Sequence, residues 1–146
     1  MTLDPFAGVC AERLTAAPAH LFESAREQFL RPSMASERRG SPRFYIAVEA
    51  VARPLAADGT SAGEPFRGVV ADLSNSGLRL LHCERLAAPL LAVRIGLWND
   101  SVSVVLRIIR SIEHDSHCEH AGPFLAPLDL ERMCDRIFEL TAMDLS

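Results

Sequence analysis

The sequence predicts a mainly β fold: a small six-stranded antiparallel barrel with a C-terminal α-helix, preceded by an N-terminal helical extension. Three observations lead there. From Arg43 onward the apolar residues follow the short period of strands, and each run ends in turn-forming residues. The last stretch, about 128–142, returns to helical spacing. The first 36 residues carry two short helical patterns interrupted by proline, which divides the chain into an extension, 1–36, and a barrel domain with its helix, 37–146.

In the extension, Asp4 is a candidate N-cap with Pro5 at the first helical position, and Phe6, Val9, Cys10 and Leu14 share a face until Thr15-Ala16-Ala17-Pro18. A second helix is expected from about Ala19 to Leu30, with Leu21, Phe22, Ala25 and Phe29 on one side, stopping before Pro32. Helices this short need a surface to pack on, whether their own domain, a second copy in a homodimer, or a partner protein. Phe44–Arg53 is the first strand, and Pro54 with Asp58-Gly59-Thr60-Ser61-Ala62-Gly63 forms the loop after it. Phe66–Leu73 and Gly77–Cys83 flank Ser74-Asn75-Ser76-Gly77 as a hairpin. Leu90–Leu97 and Ser101–Glu113 flank Asn99-Asp100 as another, the second strand long enough to bend across a barrel. A loop at Asp115–His120 precedes a final strand at Gly122–Leu125. In the closing helix Leu130, Met133, Cys134, Ile137 and Phe138 line one face, with Asp129 as its cap.

Composition narrows the function. The chain has 146 residues, 49% apolar and 23% charged, with no run long enough to span a membrane. A net charge of -4 is unsuited to DNA, RNA or membrane surfaces, which are met by broad basic faces. The start lacks the basic and apolar regions of a secretory signal, so the cytoplasm is the expected location, and the four cysteines are expected as free thiols packed like small hydrophobes. All the basic residues are arginine, which favours planar two-pronged recognition over point charge.

Three of those arginines, Arg38, Arg39 and Arg43, fall within six residues, on a lead into the first strand kept out of helix by Gly40 and Pro42. That makes a local anion site. Twenty-eight residues, Phe44 to Ala71, separate it from Asp72-x-Ser74-x-x-Gly77 in the first hairpin. The pair of motifs, Arg39-x-x-x-Arg43 and Asp72-x-Ser74-x-x-Gly77, resembles the PilZ domain family, which includes receptors for cyclic di-GMP. Gly122-x-Phe124 followed by an amphipathic helix resembles the end of that domain, so the likeness runs from about Glu37 to the C-terminus and leaves out residues 1–36.

The resemblance implies a PilZ-like split barrel and a ligand-binding set of Arg38, Arg39, Arg43, Asp72, Ser74 and Gly77, with Arg79 a further contact. The residue types suit such a ligand. Guanidinium groups pair with phosphates and with guanine O6 and N7, while Asp72 accepts from guanine N1–H and N2–H. The implied function is a cyclic di-GMP receptor that repositions residues 1–36 or a downstream partner surface on binding. The alternative is an interaction adaptor that keeps the barrel and works through residues 1–36 without the nucleotide. No nucleophile elbow, phosphate loop or hydrolase motif supports an enzyme. The run His114-Asp115-Ser116-His117-Cys118-Glu119-His120 lacks the separated ligand pairs of structural zinc sites and reads as a polar loop, so neither a metal nor a cofactor is expected.

Overall fold

A computed structural model describes residues 5–27, 44–97 and 100–125 of the chain. Seven strands form one antiparallel sheet: β1 (Phe44–Leu55), β2 (Phe66–Leu73), β3 (Gly77–His82), β4 (Leu90–Leu97), β5 (Asp100–Arg107), β6 (Arg110–Glu113) and β7 (Cys118–Pro123). Their order across the sheet is β5-β4-β1-β2-β3-β7-β6. The sheet curls into a half-barrel, and β5 approaches β7 through a bridge between Leu106 and Phe124 and an N–H···O bond from Leu125 to Val105.

The count is seven rather than six because the long segment expected at Ser101–Glu113 divides. As far as Arg107 it pairs with β4, and from Arg110 it pairs with β7. At the corner Ile108 donates to Pro89 O and Ile109 to Ala121 O, so the backbone stays satisfied while it changes partner. Gly122 makes this corner feasible, since a β-carbon there would collide with Arg107 O. The loop expected at Asp115–His120 is shorter than expected, because Cys118, Glu119 and His120 join β7 opposite His82, Leu81 and Leu80.

Alternation along the strands sorts residues onto two faces. The inner face carries the main core, in which Ala52, Val70, Leu80, Leu91, Val93 and Leu106 are fully buried. The outer face is also covered, and the N-terminal segment covers it. Helix α1 (Ala19–Glu27) places Ala17, Leu21 and Ala25 against Val69, Ala71 and Leu81, while Phe6 packs on Leu55, Leu90 and Ala92. The Arg94 guanidinium sits 4.4 Å from the centre of the Phe6 ring, and Arg53 Nη1 reaches the carbonyls of Pro5 and Ala7 at 3.4 Å.

The first of the two expected helices does not form. Residues 5–8 make a turn and Ala11–Arg13 a single 3-10 turn, because Gly8 adopts φ +77°, a left-handed conformation that ends helical propagation. Cys10 and Cys83 are exposed rather than packed as small hydrophobes, and the three described cysteines are free thiols. The 36/37 domain boundary and the helix at 128–142 lie outside the described residues, as does Asn99 of the expected Asn99-Asp100 turn, whereas Asp100 begins β5. None of the described helices is long and apolar enough to cross a membrane.

Candidate functional site

The Asp72–Gly77 hairpin is built by its own polar groups. Ser74 N–H donates to Gly77 O at 2.9 Å, and the Ser74 hydroxyl accepts from the N–H groups of Gly77 (3.2 Å) and Ser76 (3.3 Å). This is the local side-chain-to-backbone bonding for which serine is favoured at turns. Gly77 is needed for a different reason. A β-carbon there would strike Gly122 O on the adjoining β7, so the position demands hydrogen where the two strands meet. Phe124 N–H then donates to Ser76 O at 2.6 Å, tying the end of β7 to the same turn.

Asp72 reaches the outer face through an irregularity. Simple alternation from Val70, which is in the inner core, would point Asp72 inward too. The β2–β3 register shifts between Val70 and Asp72, and Asp72 ends up opposite Arg79 on the outer side. Its carboxylate is buried, at 4% exposure, and Arg79 Nη2 lies 2.9 Å from Oδ2 as an ion pair. The other prong, Arg79 Nη1, is 3.5 Å from Glu119 Oε1, and His114 Nε2 is 3.8 Å from the same oxygen. One guanidinium thus bridges two buried carboxylates. Asp72 and Arg79, both expected in the site, are in contact; Glu119 was not expected, its only signal being a charged residue in what read as a loop.

The start of β1 lies beside this set. Phe44, the residue after Arg43, is opposite Leu73, and Tyr45 is opposite Asp72. Arg38, Arg39 and Arg43 themselves lie outside the described residues, whereas Asp72, Ser74, Gly77 and Arg79 are brought together within one hairpin.

The histidine-rich run is placed near α1 and the end of β3. His114 and His117 stack with centroids 4.5 Å apart, His20 of α1 is 6.3 Å from His117, and His20 Nε2 is 3.0 Å from Ser116 O. Burial pushes the His117 and His120 imidazoles below their ordinary range, with the neighbouring His114 acting in the same direction on His117. Among the described residues no group of three His, Cys, Asp or Glu side chains is placed to share a metal ion.

No protein-family model matches the chain, and no curated protein matches it. Among solved structures it is similar to the Bacillus subtilis inhibitor of motility MotI/DgrA, at 11% identity and a TM-score of 0.52, over 72% of this chain and 52% of that one. It is also similar to Escherichia coli YcgR in complex with c-di-GMP, at 20% identity and a TM-score of 0.49, over 74% of this chain and 47% of that one. A third likeness is to the PilZ domain of CeSA from a cellulose-synthesizing bacterium, at 20% identity and a TM-score of 0.44, over 68% of this chain and 94% of that one. The chain spans about half the length of MotI/DgrA and YcgR. At these identities the likeness is one of fold alone, shared with MotI/DgrA.

Proposed function

We propose that this chain is a receptor for cyclic di-GMP, with the ligand held between the arginine lead-in and the Asp72–Gly77 hairpin. The observation that carries the reading is the β1–β2 register: Phe44 opposite Leu73 and Tyr45 opposite Asp72 bring the residue following Arg43 beside the hairpin's acceptor. Arg38, Arg39 and Arg43 supply donors for phosphate and for the guanine O6/N7 edge, and Asp72 supplies an acceptor for the guanine N1–H/N2–H edge. Arg79, already paired with Asp72 and Glu119, fixes the position of that acceptor and adds a fourth guanidinium. The protein acts by binding, as a cytoplasmic effector without metal or cofactor.

The signal in this reading passes to the N-terminal segment, which lies on the outer face of β1 and β2, the strands that carry the site. Engagement of residues 37–43 by a ligand pulls on the joint between that segment and β1, and changes the surface offered to a downstream protein. Titration calorimetry of the purified full chain with cyclic di-GMP tests the binding step. Saturable heat is expected, and its absence at high-micromolar nucleotide removes the receptor reading and leaves an adaptor that works through residues 1–36 alone.

A further inference from the structure

At the pole of the barrel away from the Asp72–Gly77 turn, a cleft of about 500 Å³ opens between the β1–β2 connection and the 84–89 segment, with Phe66, Glu84 and Leu86 in its lining. Directly behind Phe66 lie His82 of β3 and His120 of β7. His82 is fully buried and His120 is 4% exposed. Their rings stack at 4.7 Å and 20°, His82 Nε2 is 2.6 Å from His120 Nδ1, and the Phe66 ring is 4.9 Å from His82.

The hydrogen bonds around the pair determine where its protons are. Glu84 N–H donates to His82 Nδ1 at 3.0 Å, so that nitrogen carries no hydrogen. Neutral His82 therefore holds its proton on Nε2 and donates it to His120 Nδ1, which leaves the His120 proton on Nε2. Adding one proton while keeping the His82–His120 bond has two solutions. Either His82 becomes the cation, with hydrogen on both nitrogens, or His120 becomes the cation, donates from Nδ1, and leaves neutral His82 with its hydrogen on Nδ1. Both solutions put a hydrogen on His82 Nδ1, facing Glu84 N–H. The Glu84 amide loses its acceptor in either case.

We propose that the His82–His120 pair is a proton-operated latch: one added proton releases Glu84 and lets the 84–89 wall of the cleft swing away from the barrel. The groups around the latch set when it operates. Cys83 and Glu84 follow β3, His117 and Glu119 flank the pair from β7 and its preceding loop, β2 contributes only the uncharged Phe66 ring, and His20 of α1 reaches His117. Glu119 favours a cationic His120, but burial outweighs it, and burial with the neighbouring His120 and His117 pushes His82 down to about 3. The latch is thus closed at neutral pH and opens in acid.

Long-range proton–nitrogen NMR of the histidine rings in the full chain, with amide exchange followed on the same sample, tests this. At neutral pH both His82 and His120 are expected as Nε2–H tautomers. On acidification to about pH 4, the protection factor of the Glu84 amide is expected to fall at least about tenfold while that of Val70, in the β2 core, holds. In a His82→Phe/His120→Leu double variant the Glu84 amide is expected to be poorly protected at every pH. A proton on His82 Nδ1 at neutral pH, a Glu84 protection factor that does not change with pH, or one that falls only in step with Val70 overturns the proposal.

Discussion

Arg67 and Glu49 meet diagonally on the outer face of the β1–β2 pair, Nη1 2.6 Å from Oε1, although Arg67 is in register with Val51 and Glu49 with Val69. Each also holds the N-terminal segment. The second oxygen of Glu49 accepts Ala17 N–H at 2.9 Å, and Arg67 Nη2 donates to Ala11 O. The pair is therefore the polar joint between that segment and the sheet, set beside the apolar contacts of α1.

Replacing Arg67 with methionine keeps much of the side-chain stem and removes the joint. Because both charges are partly exposed, the expected loss is about 1–2 kcal/mol, less than for a buried charged hydrogen bond. Amide exchange over residues 11–21 is expected to accelerate more than exchange in β2. Equal acceleration in both regions argues against a local joint.

Leu21 is the fully buried anchor of α1. Leu21→Ala leaves a cavity against Val69, Ala71 and Leu81, and denaturant unfolding is expected to register a loss of about 2–5 kcal/mol. A loss below about 1 kcal/mol means that α1 is not docked as described.

Gly77→Ala forces a β-carbon into Gly122 O, a backbone atom that cannot move without parting β3 from β7. The expected result is a lower melting temperature and loss of amide protection at Leu78 and Leu80, with or without nucleotide. Thermal melting close to that of the parent protein speaks against the tight β3–β7 approach.

Stability is expected to fall in acid. His82 titrates at about 3 in the folded protein against 6.5 as its ordinary value, and burial lowers His117 and His120 as well. The unfolded chain therefore binds these protons first. The His82 contribution is complete above the ordinary imidazole range and is lost as pH drops from 6.5 toward 3, at about 1.4 kcal/mol per pH unit, while His117 and His120 add to the fall in the same direction. Urea midpoints measured at pH steps across that window check this, and a flat profile contradicts it.

Binding of cyclic di-GMP is expected to weaken about tenfold to a hundredfold or more in Asp72→Ala and in Arg43→Ala, the cost of one charge-assisted contact of about 1.5–3 kcal/mol. Calorimetry on both variants, each first shown to melt cooperatively, makes the comparison. Unchanged affinity in the two together rules out this site.

How far the sequence can be read depends on the range of the forces involved. Strand positions from Phe44 to Leu97 were legible because alternation and turn chemistry are local, except that Pro54, expected to begin a loop, continues β1 with Leu55 opposite Leu91 and Leu90, and the Ser74–Gly77 turn was legible from the residue types that make such turns. Gly8 escaped because the apolar spacing from Phe6 to Leu14 fits a helix, and one glycine at positive φ overrides it. Cys118–His120 read as a loop because their polar side chains have partners only across the sheet, Glu119 on Arg79 and His120 on His82.

By itself the sequence determined the mainly β class and the hairpin that carries Asp72, Ser74 and Gly77. Only the tertiary structure decided that Asp72 faces outward, that Arg79 bridges it to Glu119, that the strand after Arg110 changes partner, and that residues 5–27 lie on the sheet's outer face. The physical reason is separation along the chain. A turn is set by bonds among four neighbouring residues, whereas a register shift, a bridging guanidinium or a docked helix is selected by partners tens of residues away, whose approach no local pattern records.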